Sequence, residues 1–350
     1  MTNFLIYGSY GYTGNLITKL AVERGHRPIL AGRDEKKLGK QNADLGLPAL
    51  AFDLSETQKL DSVLNDVDVA LHCAGPFGYT YKAMAEACLR TGTHYLDIGG
   101  GIPELEAVAA LDEEAKSAEI IMMPGAGFDV VPSDCLLKYL QEKLPSATYL
   151  QLSIRGVGGG VSRGTARSGV ENIDRQGSIR RDGKLIQVPP AWKIKDVDFG
   201  RGPVTVTSVG WGDVATAFHS TGIPNIEAYM VFPAIMRSFM RASRYLGWLL
   251  YNRPAKNFIK ALIGLLPPGP SAEQNEKGFS LIIGEARNEK REEVRAKLRT
   301  PEAYNFTAQT SIAIVERILA GDFKTGFQTP SMAYGSDFVL GFDEVTREDL

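Results

Sequence analysis

The chain has 350 residues, of which 44% are hydrophobic and 23% charged; this composition excludes a disordered chain and is typical of a globular protein of about two domains. The formal net charge is −2, so nothing in the overall charge indicates nucleic acid, and we predict no such partner. The histidines are scattered, and the cysteines lie in apolar runs without paired spacing: Cys73, Cys88 and Cys135. We therefore predict reduced thiols, no metal site and a cytoplasmic protein without a signal peptide.

The first 147 residues alternate short apolar runs with helical patterns. Strands are predicted at NFLIYG, RPILAGR, LPALAFDL, DVALHCAG, THYLDIGG and EIIMMPGAG, with a helix after each of the first five. This alternation predicts a parallel sheet with right-handed crossovers, which is the doubly wound, Rossmann-type α/β fold.

The pattern changes near Pro145, and residues 148–328 are predicted to form a second, α+β domain, followed by a C-terminal segment at 329–350. Strands are predicted at YLQLSIRGVGG, GPVTVTSVGWGD and FSLIIGEARN. Residues 228–266 are predicted to be helical in pieces, and two further helices are predicted at REEVRAKLR and YNFTAQTSIAIVERILAG.

Three glycines, three residues apart, follow the first predicted strand. Backbone N–H groups approach a diphosphate closely only where no Cβ intervenes, and a following helix directs its positive end at that charge. Strand, glycine turn and helix in this order predict a dinucleotide-binding turn, with an ordinary tight turn as the alternative. The predicted cofactor contacts are Gly8, Ser9, Tyr10, Gly11, Tyr12, Thr13 and Gly14.

The second predicted strand ends in LAGRDE, with Arg33 where an acidic residue would hold a ribose 2′-hydroxyl. An arginine at this place accommodates a 2′-phosphate, so we predict NADP(H) as the cofactor. The alternative is that Asp34 serves the 2′-hydroxyl and that Arg33 is a solvated loop residue. Asp53 ends the third strand and is predicted either to contact the adenine or to cap the next helix.

At this point the chain resembles the saccharopine dehydrogenase-like oxidoreductases, and among them the branch of the trans-acting enoyl reductases. The stretches that carry the resemblance are YGSYGYTG, LAGR, HCAGPFGYTYKAMAEACLRTGTHYLDI, MPGAGFDVVPSD, SRGTARS, WGDVATAFHSTGIPN and TPSMAYGSDF. The resemblance implies an NADP-binding Rossmann domain, a second domain for substrate binding and dimerisation, a homodimer, and a C-terminal segment that returns to the first domain. Many relatives carry an acid in a Gly-Glu pair after the fifth strand, where this chain has Gly99, Gly100 and Gly101.

Ligands of an open α/β sheet bind outside the carboxyl ends of its strands. After the fourth strand, Ala74, Gly75 and Pro76 are predicted to leave room for the nicotinamide ribose, with Phe77 and Tyr79 directed at the substrate.

The sixth strand is followed by Phe128, Asp129 and Asp134, which are predicted to face the substrate, with helix capping as the alternative for the two acids. Two stretches of the second domain add predicted substrate contacts: Gly164, Thr165 and Trp211. For Trp211 a place in the core is the alternative.

No acid–base pair stands out in these segments, and hydride transfer needs none when the cofactor carries the chemistry. We predict an NADP(H)-dependent reductase of a C=C, C=O or C=N bond in a hydrophobic or acyl-linked substrate, with Tyr79 or Asp129 as the proton source. One alternative is a non-catalytic NADP(H)-binding sensor or scaffold. Another is a short-chain-dehydrogenase-like enzyme that uses Tyr139 and Lys143, which are spaced as Tyr-x-x-x-Lys.

Residues 228–272 contain no acid but six bases: Arg237, Arg241, Arg244, Arg253, Lys256 and Lys260. Apolar runs lie between these bases. A dimer interface or core helices with snorkelling cations is one interpretation. The other is an amphipathic patch that contacts a membrane surface or guides a long acyl substrate.

Overall fold

The computed structural model describes residues 4–171, 177–250 and 252–350. By their contacts they form two compact units. Unit 1 consists of Met1–Val131 and Tyr304–Ala333, and unit 2 of Pro132–Ala303 and Tyr334–Leu350.

The strands follow the chain in this order: β1 (Phe4–Tyr7), β2 (Ile29–Gly32), β3 (Ala49–Ala51), β4 (Val69–His72), β5 (His94–Asp97), β6 (Ile121–Met123), β7 (Tyr149–Val157), β8 (Gly177–Arg181), β9 (Lys184–Val188), β10 (Ile194–Asp198), β11 (Pro203–Val209), β12 (Asn225–Val231), β13 (Phe279–Arg287), β14 (Glu293–Pro301), β15 (Gly326–Phe327) and β16 (Thr346–Asp349).

The helices are α1 (Tyr12–Glu23), α2 (Glu35–Leu45), α3 (Thr57–Leu64), α4 (Phe77–Thr91), α5 (Ile102–Ala109), α6 (Asp112–Ser117), α7 (Val131–Lys143), α8 (Arg163–Glu171), α9 (Asp213–Thr221), α10 (Ala234–Leu250), α11 (Arg253–Gly264), α12 (Ala272–Lys277), α13 (Ala303–Leu319) and α14 (Pro330–Tyr334).

Unit 1 is built on a parallel sheet with the strand order β15-β6-β5-β4-β1-β2-β3. The order reverses between β1 and β4, as in a doubly wound sheet. Strands such as β1 and β4 are buried along their whole length, which explains their continuous apolar sequence. The predicted Rossmann-type fold with a second α+β domain is thereby confirmed.

The division by contacts differs from the predicted domain limits of 147 and 328. The first limit falls at Val131, at the start of α7, and Tyr304–Ala333 belongs to unit 1. In that segment, β15 pairs with β6 as a further parallel strand of the first sheet. In the predicted C-terminal segment, β16 pairs with β14 and therefore extends the sheet of unit 2.

Unit 2 is built on a mixed sheet with the strand order β10-β11-β12-β7-β13-β14-β16. Only β12 and β7 are parallel along this path, and the β8–β9 hairpin joins it through Ile226 and Arg180. One sheet face packs on α7, where a Cβ added to Gly284 would lie 2.6 Å from Leu140.

The prediction of a helix at REEVRAKLR is wrong, because this segment forms β14. Helix-favouring residues suggested the helix, but the buried positions alternate, at Ala296, Leu298 and Thr300. A period of two fits a strand, and β14 pairs with β13 along its whole length. The helical stretch predicted from residue 228 begins instead at α10, because residues up to Val231 form β12.

Within the described residues, no helix combines the length and apolar character that crossing a bilayer requires.

Candidate functional site

The crevice of the first sheet lies between β1 and β4, where the strand order reverses. Gly8 follows β1 with a φ of 88°, which a residue with a side chain rarely adopts. A Cβ on Gly8 would lie 2.8 Å from the backbone nitrogen of Ala74. The glycine turn and the segment after β4 are therefore in backbone contact.

The other two glycines of the turn serve different needs. A Cβ on Gly14 would lie 2.3 Å from the carbonyl oxygen of Gly8, so helix α1 can pack this close only with glycine here. Gly11 is the N-cap of α1, and the nearest atom to its missing Cβ is the Gly8 oxygen at 3.1 Å. The first turn of α1 has no acidic residue. An open helix N-terminus with a bare backbone beside it fits the diphosphate of a dinucleotide.

Ser9 and Tyr10, both predicted as cofactor contacts, support the turn. Ser9 is buried, and its hydroxyl donates to Gln41 Oε1 at 2.8 Å. Gln41 Nε2 donates back to the carbonyl of Ser9 at 3.0 Å. The Tyr10 ring packs on Gly32, where a Cβ would lie 2.6 Å from it. These contacts fix the turn against β2 and α2.

Tyr12 and Thr13, the remaining predicted contacts in the turn, form the half-buried start of α1. The Tyr12 ring meets Tyr304 edge-on at 5.0 Å.

Arg33 and Asp34 follow β2 in different environments. Asp34 is the N-cap of α2 and accepts a hydrogen bond from the Lys37 backbone at 3.1 Å. This bond, together with the Lys37 side chain, lowers the pKa of Asp34. Arg33 is exposed. Because capping engages the Asp34 carboxylate, Arg33 is the residue that is free to meet a ribose phosphate.

Asp53, after β3, closes a local turn. Its carboxylate accepts from the backbone and hydroxyl of Ser55 at 3.0 and 2.7 Å. These bonds, with a smaller contribution from Arg33, lower the pKa of Asp53. The N-cap of α3 is Glu56, so the capping alternative for Asp53 is wrong.

The segment Ala74–Pro76 is held by two side chains behind it. The Thr80 hydroxyl donates to the carbonyl of Ala74 at 2.7 Å, and His72 Nε2 lies 2.9 Å from the same hydroxyl. Since the single hydroxyl proton is used, His72 donates through Nε2. Burial lowers the pKa of His72 to about 3, so the imidazole is neutral. Sequence analysis missed His72; a histidine that ends a buried strand was the available signal.

The side chains of three different residues pack on the three glycines that follow β5. A Cβ added to Gly99 would lie 2.9 Å from the Phe77 ring. A Cβ added to Gly100 would lie 2.7 Å from the Cβ of Asp129. At Gly101 the atom met is a carboxylate oxygen of buried Glu104. The structure therefore brings Phe77 and Asp129 to one bare stretch of backbone.

Asp97, the last residue of β5, ties this stretch to the turn after β6. Its carboxylate accepts from Gly99 and Gly125 N–H groups at 2.8 and 3.1 Å and from Tyr95 at 2.5 Å. Burial raises the pKa of Asp97 to about 6 even though these bonds lower it. Sequence analysis also missed Asp97, although an acid at a strand end, two residues before a run of glycines, signals such a turn.

Phe128 and Asp129 follow β6. Phe128 is buried, and its backbone N–H donates to Thr307 Oγ1 at 3.0 Å. Asp129 is half-buried, and desolvation alone raises the pKa of its carboxyl to about 6. Tyr79, on the first turn of α4, is 74% exposed.

The predicted substrate contacts of unit 2 lie on helix starts. Asp134 is fully buried in the first turn of α7. Gly164 and Thr165 lie in the first turn of α8, where the Thr165 N–H donates to Ser162 Oγ at 3.1 Å. Trp211 precedes α9, and its indole N–H is buried without a hydrogen-bond partner among the described residues.

The Tyr-x-x-x-Lys pair of α7 is bound to the edge of its own sheet. The Tyr139 hydroxyl donates to Asp349 of β16 at 2.9 Å, and Lys143 forms an ion pair with the same carboxylate. The guanidinium of Arg347 lies 3.5 Å from the centre of the Tyr139 ring. Both groups therefore have structural partners. In the part of the chain that the structure describes, no group of three His, Cys, Asp or Glu side chains is arranged to hold a metal ion.

A parallel sheet with a glycine turn at its switch point defines a dinucleotide-binding protein. Residues 4–123 match the family described as "Saccharopine dehydrogenase NADP binding domain", so this part of the chain is similar to an NADP-binding domain. The resemblance predicted from the motifs and the NADP(H) cofactor are thereby confirmed.

The chain is similar to curated relatives over part of their length. It is 26% identical over 204 residues to a saccharopine dehydrogenase-like oxidoreductase of Mus musculus. The aligned stretch covers 51% of this chain and 48% of the relative. A trans-acting enoyl reductase of Mycobacterium leprae is 32% identical over 142 residues, covering 38% of this chain and 34% of that protein. The chain thus spans about half the length, or less, of these relatives.

Among solved structures, the apo saccharopine dehydrogenase (L-Glu forming) of Saccharomyces cerevisiae superposes with a TM-score of 0.68. The superposition covers 100% of both chains, and their sequences are 14% identical. At this identity the likeness shows a shared fold.

Proposed function

We propose that the protein is an NADP(H)-dependent oxidoreductase that reduces a polarised C=C, C=O or C=N bond of a hydrophobic or acyl-linked substrate. The observation that carries this proposal is the half-buried carboxyl of Asp129, packed on Gly100 in the unit that holds the glycine turn. A carboxyl with a pKa near 6 can donate a proton close to neutral pH.

The roles of the residues follow from their contacts. The N-terminus of α1 and the bare backbone at Gly11 would bind the diphosphate, and Arg33 would bind the 2′-phosphate. Bound NADPH supplies the hydride. Asp129 would donate the proton to the substrate. Tyr79 is the weaker candidate, because its 74% exposure leaves it in water rather than in a desolvated site.

The substrate class rests on two further observations. Relatives named trans-acting enoyl reductase support a C=C acceptor. The Phe77 ring, packed on Gly99 beside Asp129, offers an apolar surface to the part of the substrate next to the reacting bond.

The test begins with cofactor binding, measured by NADPH and NADH fluorescence on the purified chain. We then expect NADPH consumption with enoyl thioesters of increasing acyl length, compared with ketones and imines. Asp129→Asn should abolish turnover and keep NADPH affinity. Asp34→Asn, which alters an acid engaged in a helix cap, is the matched control. Tight NADPH binding with no turnover of any acceptor would contradict the proposal and favour a non-catalytic NADP(H) sensor.

A further inference from the structure

Helices α10 and α11 of unit 2 turn apolar faces to solvent. On α10, Ile235 and Tyr245 are 83% and 82% exposed. The exposed large apolar side chains of the two helices and the residues just after them are Ile235, Met236, Phe239, Tyr245, Phe258, Leu262, Leu265 and Leu266. Monomeric proteins rarely expose so many large apolar groups in one short segment, so this face is a candidate interaction surface.

The cations of α10 lie on the opposite side of the helix. At 100° per residue, Arg237, Arg241 and Arg244 share a face that is turned about half a circle from Ile235 and Phe239. Arg237 donates to the carbonyl of Phe232 at 2.6 Å, and Arg244 donates to the carbonyl of Pro190 at 2.8 Å.

Helix α11 repeats this arrangement. Lys260 forms an ion pair with Glu171 of α8, and Lys256 donates to the carbonyl of Glu171 at 3.0 Å. The apolar residues Phe258 and Leu262 face away from them. In both helices cations of the polar side thus bond to the protein, and the apolar side is presented outward.

We propose that this apolar face docks on the surface of a bilayer that contains anionic lipid. Residues 228–272 carry six bases and no acid in a chain with a net charge of −2, so the segment complements a negative surface. The side chain of Arg253, one of the six, lies outside the described residues. Arg241 is exposed and bonds no described residue, so no described acid neutralises the charge that it adds to the segment.

The same charge argues against a second copy of the chain as the occupant. A symmetric dimer through this face would bring two identical basic segments together. Repulsion between two such segments brought close together opposes this interface, whereas aliphatic and aromatic side chains enter the boundary of headgroups and acyl chains without that cost.

The experiment is flotation of the full chain with vesicles of phosphatidylcholine, with and without phosphatidylglycerol, at low and high salt. We expect flotation with the anionic vesicles that weakens at high salt. Phe239→Ser with Phe258→Ser should lower the apparent affinity at least about tenfold, since both side chains would leave the bilayer. Arg241→Glu should weaken flotation at low salt.

The matched control replaces two exposed isoleucines elsewhere in unit 2, Ile186→Ser with Ile194→Ser, and should float like the parent. NADPH binding by each variant verifies that it is folded. Absence of flotation at low salt overturns the proposal. If sedimentation then shows a dimer that the Phe239 and Phe258 variant dissociates, a second copy covers the face. Loss of NADPH binding by the parent chain would break the proposed function but leave a positive flotation result intact.

Discussion

Two glycine-rich turns at the same edge of the first sheet have opposite uses. In the turn Gly8–Gly14, the space where side chains would stand is filled by backbone atoms of Gly8 and Ala74. In the turn Gly99–Gly101, that space is filled by the side chains of Phe77, Asp129 and Glu104. The first turn lets backbone elements and a cofactor approach each other. The second lets reactive and apolar side chains rest on bare backbone.

The difference shows that a run of glycines indicates a close approach without saying what approaches. Backbone cannot move aside, whereas a side chain can turn to another rotamer. Substitutions in the first turn should therefore act on folding and cofactor binding, and those in the second on the side chain that is displaced.

The largest effect is expected from Gly14→Ala. The new Cβ would lie 2.3 Å from the carbonyl oxygen of Gly8. Because α1 would have to shift away from the turn, we expect a loss of detectable NADPH binding and a destabilisation of about 3 kcal/mol or more. Chemical denaturation and cofactor fluorescence measure the two effects.

Gly39→Ala is the control for that change. Gly39 lies in helix α2 with no atom within 4 Å of an added Cβ, so alanine should stabilise the protein by about 0.5–1 kcal/mol and leave NADPH binding unchanged. Equal NADPH affinity of the Gly14→Ala protein and the parent would mean that the turn is not a cofactor site.

The second turn is tested by Gly100→Ala. Its Cβ would lie 2.7 Å from Asp129 Cβ and 2.9 Å from Oδ2. No rotamer moves a Cβ, so Asp129 must shift as a whole and take its carboxyl with it. We expect turnover to fall about a hundredfold, towards that of Asp129→Asn, with NADPH affinity unchanged. A Gly100→Ala protein that loses NADPH affinity instead would remove the distinction between the two turns.

The pH dependence gives an independent view of Asp129. Its pKa is raised to about 6 by burial, so the carboxyl is protonated below that value and loses its proton above it. A proton donor is lost as the pH rises, and kcat/KM should therefore fall above about pH 6. In Asp129→Asn this limb should be absent from the residual activity. A limb that persists there belongs to another group, and Asp97, with a similarly raised pKa, is the first to examine.

The two turns also differ in how far sequence could foresee them. The first sheet, the turn Gly8–Gly14 and the place of Arg33 after the second strand followed from strand–helix alternation and glycine spacing, which are local signals. The partners of Gly99–Gly101 did not, because Asp129 and Phe77 come from other strand ends and meet there only in the fold. Strand β14 was missed for the opposite reason: its residues favour a helix locally, and pairing with β13 overrides that preference. His72 and Asp97 each stand at a strand end, which is a local signal, but the hydrogen bonds through which they support their turns form only in the fold.

A smaller effect is expected at the cofactor-specificity position. Arg33→Ala removes a charge-assisted contact to a 2′-phosphate, so the ratio of NADPH to NADH affinity should fall about ten- to a hundredfold. Arg27→Ala is a matched control, because this arginine donates to the carbonyl of Gly46 at the far end of α2. If the ratio is the same in Arg33→Ala as in the parent, another group reads the 2′-phosphate.

The smallest effect is expected from Gly101→Ala, which alters the residue next to Gly100. The added Cβ would meet the end of the Glu104 side chain, at 2.0 Å from Oε2, rather than Asp129. A terminal carboxylate can turn away, so we expect a destabilisation of about 1 kcal/mol and turnover within about twofold of the parent. Unfolding curves and steady-state rates of the Gly100→Ala and Gly101→Ala proteins, measured side by side, decide the matter. If both substitutions abolish turnover equally, the shape of the glycine run and not the position of Asp129 controls the chemistry; if only Gly100→Ala does, the carboxyl that rests on Gly100 is the group that acts.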